Sequence, residues 1–413
     1  MSPILVRLLR PLLLGCLAVV LALPAAAGRP RARRLSLTKA QLAALLGPRI
    51  QALVGSRELL VRDPRLGLLA VEPTIDQRLQ RRAERLLLGR RGHRAAVVVL
   101  EAATGRVLVL AGVRRRRLDP RVALRADAPA ASLFKVITAA AALEEVDLRP
   151  STRLAFVGRP HTLYRYQVRE RLRRRPRRVT LRRSFAQSNN PVFARLGMHW
   201  LGGELLLWYA RALGFGRRLA FELPVGISRL ARPRDEFQVG ELACGYNRET
   251  TMSPLHAALM VAVFVNGGRF MEPFVVARVE GPGGRVLYRG RPKGGGRLVS
   301  ESTCRAMRRL LAATVTEGTA AHAFRRARRD RVLKGLILGG KTGTLRGRDR
   351  RELFEWFAGF GQDPTSGRAI AVCTLAVHGK RRYVDPKRLA RRVLREAFRT
   401  LAAGSPRRVA GHM

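Results

Sequence analysis

Hydrophobic positions recur at helical spacing in some stretches of this chain and run almost unbroken in others. In "TIDQRLQRRAERLLLG", from Thr74, apolar residues at Ile75, Leu79, Ala83 and 86–88 predict an amphipathic helix. "AAVVVLEAATGRVLVLAG" holds two β-branched runs joined around Thr104-Gly105, which predicts a hairpin. "SPLHAALMVAVFVNGG" predicts a helix over 254–265 ended by Gly267-Gly268, and "ESTCRAMRRLLAATV" predicts another. Further on, "LILGGKTGTL", "EWFAGFG" and "RAIAVCTLAV" read as strands, and a last helix spans about 387–401.

Strands thus come from both ends of the chain, with a region of loops and helices at 149–290 between them. That order predicts an α+β fold: an antiparallel sheet of about five strands, flanked by helices and carrying a mostly helical insertion. Residues 28–72 are basic and hold one amphipathic patch, "LTKAQLAALLGPRIQALV". They read as a juxtamembrane linker, too short to bury a core of their own.

The N-terminus changes the picture. Arg7 and Arg10 precede an apolar run over 11–23 and small residues at 25–27, the three-part form of a secretory signal. Export is expected, to the periplasmic or extracytoplasmic face of a membrane. Cleavage after Ala27, retention as an anchor, and lipidation at Cys16 are the open modes of attachment; the run is short for a membrane span.

Charge adds a partner class. Eighty Lys+Arg against 29 Asp+Glu leave a net +51. Basic clusters at 114–117, 171–178 and 325–331 are expected on solvated loops that face anionic lipid or wall polymers. No zinc-finger spacing or aromatic RNA-binding signature accompanies them, so no nucleic acid is expected. Cys244, Cys304 and Cys373 are too far apart for a CxxC pair and read as buried, unpaired thiols. The seven histidines are scattered without HExxH spacing, so no metal site is expected.

Candidate chemistry begins at Ser132 and Lys135, three apart where "SLFKVITAAAALEE" turns apolar. On a helix such side chains share a face. A serine hydroxyl needs an adjacent base to act as a nucleophile. A lysine buried among Ala, Val and Ile loses its preference for the ammonium form and becomes such a base. Alone the pair reads as a helix cap and a surface lysine. "SFAQSNNPVF" adds Ser188 and Asn190, and "GGKTGTL" adds Lys341, Thr342, Gly343 and Thr344. In this order the three segments form the SxxK, SxN and KTG set of serine acyl-transfer enzymes.

The chain resembles the transpeptidase domain of penicillin-binding proteins over 73–402. "TIDQRLQ", "VVVLEAATGRVLVLAG", "SPLHAALMVAVFVNGG", "VTEGTA" and "EWFAGF" carry the resemblance beyond the three motifs. It implies a penicillin-binding protein/β-lactamase-like fold and a serine-type D,D-transpeptidase or D,D-carboxypeptidase of peptidoglycan stem peptides, inhibited covalently by β-lactams. By resemblance, Ser132 attacks the D-Ala-D-Ala carbonyl and Lys135 is its base. Ser188 and Lys341 relay the proton to the departing D-alanine. Asn190 holds a substrate amide, and Thr342, Gly343 and Thr344 bind the substrate's carboxylate and main chain. The N–H groups of Ser132 and Thr344 form the oxyanion hole, and the resemblance implies that no metal or organic cofactor is needed. Pro191 restricts the backbone of Asn190. About 45 residues separate the signal from the match, so no glycosyltransferase domain is expected ahead of it, and a separate glycosyltransferase partner is left open. Residues 403–413 read as a tail.

Two other functions fit parts of the pattern. A serine β-lactamase of the oxacillin-hydrolysing type shares SxxK, KTG and "WFAG", but the "TIDQRLQ" opening, the asparagine of SxN and the length favour the cell-wall enzyme. A non-catalytic envelope scaffold of the same fold need not keep all of Ser132, Lys135, Ser188, Asn190, Lys341 and Thr342.

Overall fold

A computed structural model describes residues 36–89, 94–172, 175–348 and 350–404, with side chains through 401. The signal segment, Cys16 and the tail therefore lie outside the described residues, and so does part of the 171–178 cluster. Among the described residues, no helix is long and apolar enough to cross a membrane.

In chain order the strands that matter are β1 (Leu59–Asp63), β2 (Gly67–Pro73), β3 (Arg94–Glu101), β4 (Val107–Arg114), β5 (Arg117–Leu118), β6 (Val276–Glu280), β7 (Val286–Arg289), β8 (Ile337–Arg346), β9 (Leu353–Gln362) and β10 (Ala369–His378). The helices are α1 (Lys39–Leu46), α2 (Ile50–Gly55), α3 (Gln77–Leu88), α4 (Lys135–Glu145), α5 (Asn190–Leu196), α6 (Glu236–Cys244), α7 (Pro254–Ala262), α8 (Glu301–Thr316) and α9 (Pro386–Gly404).

The main sheet is antiparallel in the order β8-β9-β10-β3-β4-β5. It has six strands where about five are expected; the sixth, β5, is two residues long. Both faces are covered, which is why these strands read as continuous apolar runs instead of alternating ones. Along β3, Ala95, Val97 and Val99 join a layer with Leu79, Ala83 and Leu87 of α3 and Leu389, Val393 and Leu394 of α9. Ala96, Val98 and Leu100 face the other layer, with α4 and α7. Local signals set the helix starts: Asp76 caps α3 by accepting the Leu79 N–H at 2.8 Å. Ser300 caps α8, and its N–H and hydroxyl both reach the Glu144 carboxylate at 3.0 and 2.9 Å, tying α8 to the end of α4.

Two features depart from the sequence reading. The 149–290 region carries the hairpin β6–β7 among its helices, and this hairpin joins β1 and β2 in a second sheet of order β1-β2-β6-β7. Strand β6 recruits β2 by pairing Val279 with Val71, a long-range partner that local patterning does not reveal. Residues expected to form a linker also contribute structure from position 36 onward. Thr38 opens α1 in a reciprocal cap with Gln41, and Leu42, Leu46, Ile50, Leu53 and Val54 sit in the main core. Lys39 fixes the outer face, donating to the Pro273 carbonyl at 2.9 Å and the Ala220 carbonyl at 3.1 Å. The eighteen-residue patch is amphipathic because it has a core to meet.

This packing predicts that Leu46→Ala destabilises the whole domain by about 2–5 kcal/mol, the usual cost of emptying a fully buried leucine site. Urea denaturation followed by fluorescence should show one transition at a lower midpoint. A free tether would leave the midpoint unchanged.

Candidate active site

Ser132 lies on a single 3-10 turn, Ala131–Phe134, which runs directly into α4 at Lys135. The turn is held from three sides. The Ala130 N–H donates to the Thr250 carbonyl at 2.8 Å. Trp356 of β9 donates its indole N–H to the Pro129 carbonyl at 2.9 Å. Gly245, just past α6, has a φ of +71°, and its Cα approaches the Ala131 carbonyl so closely that a Cβ would stand 1.9 Å from the oxygen. Ala131 itself has a φ of +48°, an uncommon conformation for a residue with a side chain.

Lys135 is fully buried. Its amine reaches the Cys244 carbonyl at 2.6 Å, Asn190 Oδ1 at 2.7 Å and Ser132 Oγ at 3.0 Å. The first two groups can only accept. A neutral amine has two hydrogens and one lone pair. With its hydrogens on Cys244 and Asn190, the lone pair is left for the Ser132 hydroxyl. Burial lowers the Lys135 pKa to about 8, against a smaller raising effect from Cys244, so both protonation states are accessible near neutrality.

A second buried lysine faces this pair. Lys341 donates to Ser188 Oγ at 2.9 Å and to the Thr342 carbonyl at 3.0 Å. Burial, and then the charge of Lys135, hold it well below the ordinary lysine range. Neither lysine has an ion-pair partner among the described residues. Ser188 has a φ of +58°, and its turn leads into α5, which Asn189 caps by accepting the Val192 N–H at 3.1 Å. Pro191 sits in the first turn of that helix, where a backbone N–H has no intrahelical acceptor. It therefore leaves Asn190 aimed at Lys135.

Lys341, Thr342, Gly343 and Thr344 lie on β8, an edge strand whose partner on one side is β9. A Cβ at Gly343 would stand 3.2 Å from the Trp356 ring and 3.4 Å from the Ala130 carbonyl, so glycine lets the strand lie close to the Ser132 turn. Thr344 is exposed, and the Thr342 hydroxyl pairs with that of Thr319 at 2.6 Å. The three motifs thus converge on the Ser132 turn.

Sequence reasoning missed three contributors. The Cys244 carbonyl carries no signal, because backbone acceptors have none. Thr319 lies within the quoted "VTEGTA" without an assigned role; its N–H bonds the Ala186 carbonyl at 3.0 Å, next to the Ser188 turn. His161, one of the scattered histidines, follows Pro160, whose carbonyl accepts the Asn190 N–H at 2.6 Å, and burial, then the charges of Lys135 and Lys341, lower its pKa.

The chain is similar to known proteins over most of its length. The family model for the penicillin binding protein transpeptidase domain matches residues 95–397. A relative named peptidoglycan D,D-transpeptidase PbpA, from Mycolicibacterium smegmatis, is 29% identical over 350 residues, 75% of this chain and 68% of that protein. Stage V sporulation protein D of Bacillus subtilis is 28% identical over 52% of this chain, but the match spans only 32% of that longer protein. Among solved structures, PBPA of Mycobacterium tuberculosis superposes with a TM-score of 0.63 at 24% identity, covering 81% of this chain and 80% of that one. Penicillin-binding protein 3 of the same organism, in complex with ampicillin, gives 0.66 at 19% identity over 83% and 82%.

The contact between Gly245 and the Ser132 turn can be tested directly. Gly245→Ala should lower stability in urea by about 1–3 kcal/mol, since it combines a positive φ with a backbone collision. Gly295→Ala, where an added Cβ meets nothing within 4 Å, should shift the midpoint little.

Proposed function

The chain belongs to the penicillin-binding protein transpeptidase family, and we propose that it is a peptidoglycan D,D-transpeptidase working through an acyl-enzyme on Ser132. The observation that carries this assignment is the Lys135 amine, whose two fixed acceptors leave its lone pair for the Ser132 hydroxyl. The substrate is a stem peptide ending in D-Ala-D-Ala, and β-lactams acylate the same oxygen. The N-terminal signal directs the chain out of the cytoplasm, where this substrate is found, and the Arg clusters face anionic lipid or wall polymers.

Acylation begins with neutral Lys135 accepting the Ser132 proton while Oγ bonds to the scissile carbonyl carbon. The N–H groups of Ser132 and Thr344 hold the oxyanion that forms. As the C–N bond breaks, the departing D-alanine nitrogen needs a proton. Ser188 supplies it, flanked by Lys341 at 2.9 Å, and the proton taken from Ser132 makes good the loss. The substrate lies along the free edge of β8, a strand-addition mode in which main-chain bonds give affinity. Its terminal carboxylate meets Thr342 and Thr344, beside Lys341. Asn190 serves both sides, holding Lys135 through its oxygen and a substrate carbonyl through its amide nitrogen. An amine from a second stem peptide, or water, then releases the acyl group.

Two outcomes follow for fluorescent penicillin. Ser132→Ala should abolish labelling, and Lys135→Ala should slow it by about 10²–10⁴-fold, the range of positioned proton transfer. Labelling that persists in Ser132→Ala removes the nucleophile assignment. In the wild type the second-order acylation rate should depend on pH through Lys135, whose pKa falls from 10.5 to about 8. Only the unprotonated amine accepts a proton, so the rate should rise roughly tenfold per pH unit below that value and level off above it. A profile that falls with rising pH overturns the base assignment.

A further inference from the structure

Beside the three motifs lies a cavity of about 1060 Å³ that the chemistry above does not use. Its walls are the segment ahead of α6, one face of α6, the loop 246–249 that follows it, and Arg348 just beyond β8. The chain that forms this loop also supports the nucleophile. Gly245 packs against Ala131, and the Thr250 carbonyl accepts the Ala130 N–H at 2.8 Å. Arg248 then ties the loop to the sheet, donating from Nε to the Arg346 carbonyl at 3.0 Å. The cavity is therefore built onto the end of the strand that carries Lys341 and Thr344.

Five arginines line it, Arg229, Arg232, Arg234, Arg248 and Arg348, against two carboxylates. Glu249 is taken by Arg348 at 3.5 Å, which leaves Glu241 as the one acid among four guanidinium groups. Arg229 donates to the Thr251 hydroxyl at 3.3 Å. The guanidinium groups of Arg232 and Arg234 meet no acceptor among the described residues. Asn247 adds an amide donor. Its Oδ1 accepts the N–H groups of Glu249 and Thr250 at 3.2 and 2.8 Å, while its Nδ2 is buried with no partner among the described residues. Such a wall suits a carboxylate, whose two oxygens match the fork of an arginine.

The edge of β8 supplies the direction from which that carboxylate comes. Gly339, Gly340 and Lys341 are buried, and a Cβ at Gly339 would stand 3.1 Å from Leu311 of α8. Thr344 and Arg346, further along the strand, are exposed. A peptide whose terminal carboxylate meets Thr342 and Thr344 therefore continues toward Arg346, antiparallel to β8. It advances about 3.3 Å per residue, so the residue ahead of D-Ala-D-Ala arrives near Arg346, which Arg248 joins to the cavity wall. Resting on the transpeptidase reading above, we propose that this cavity selects donor stem peptides by a free side-chain carboxylate on the residue preceding D-Ala-D-Ala, with Arg232 and Arg234 as the residues that determine the preference. A side chain ending in an amide at that position gains no charge-assisted bond.

The test uses two acetylated tetrapeptides that end in D-Ala-D-Ala and differ only in the preceding residue, glutamate or glutamine. Each is titrated for its protection of Ser132 from fluorescent penicillin in the full chain. The glutamate peptide should protect at about tenfold lower concentration, within the range of charge-assisted bonds, and added salt should narrow the gap. Arg232→Gln combined with Arg234→Gln should raise the concentration needed for the glutamate peptide to that of the glutamine peptide. The glutamine peptide and penicillin itself should shift far less. Arg285→Gln combined with Arg291→Gln removes the same charge elsewhere and should keep the gap, which separates this cavity from the general attraction of a chain with a net +51. Equal protection by the two peptides in the wild type overturns the proposal. So does a gap that survives in the Arg232 and Arg234 double variant, or one lost equally in the control. An equal loss for both peptides overturns it too, because it would mark the two arginines as structural. A wild type that forms no acyl-enzyme on Ser132 is a different failure, because it removes the transpeptidase reading itself.

Discussion

One amine without a counter-ion sets the terms for this molecule. Lys135 is buried, and no carboxylate pairs with it among the described residues. A permanent charge in that position would cost several kcal/mol. Three acceptors within 3.0 Å offset part of that cost and keep the ammonium form within reach of neutrality. A carboxylate partner would have fixed the charge and ended the group's use as a base; a wholly apolar shell would have made the amine permanently neutral. Uncharged carbonyl acceptors lie between these extremes, and burial, against a smaller raising effect from Cys244, sets the pKa at about 8.

Each acceptor comes from a different part of the fold. Cys244 closes α6, Asn190 opens α5, and Ser132 precedes α4. The carbonyl of Cys244 is free because a helix leaves its last carbonyls without intrahelical donors. Gly245 then turns the chain away in a left-handed conformation that brings it against Ala131. The same residue pair therefore ends one helix and braces the turn that carries the serine. On the opposite wall, Trp356 holds Pro129 from the sheet. A small movement of any of these elements would change the amine's shell before it changed the nucleophile.

The parts of the molecule legible in its sequence are those fixed by local pattern. The strands at both ends, the helices at 77–88, 254–262 and 301–316, and all eight motif residues could be located because apolar period, caps and side-chain chemistry lie in short stretches. What escaped depends on distant partners. The hairpin β6–β7 is a strand pair because β2 waits beside it, and residues 39–55 form helices because the core accepts Leu42 and Leu46. The Cys244 carbonyl was invisible for another reason: every residue has one, and only the fold selects which is used. His161 was visible but unremarkable, since a single histidine carries no motif.

Two lysines this close cannot be treated as independent acids. The charge of Lys135 is the second cause, after burial, that depresses Lys341, and both charges depress His161. Protonating one makes the next protonation harder, so the titration belongs to the group and not to any single residue. Under the proposed function this coupling is useful. When Lys135 takes the serine's proton it becomes charged, which disfavours a second charge on Lys341. Ser188, hydrogen-bonded to that second lysine, is the one motif hydroxyl placed to pass the proton to a leaving nitrogen. Repulsion between like charges, usually a defect in a core, here gives the proton a direction: in from the serine, and out to the amine that departs.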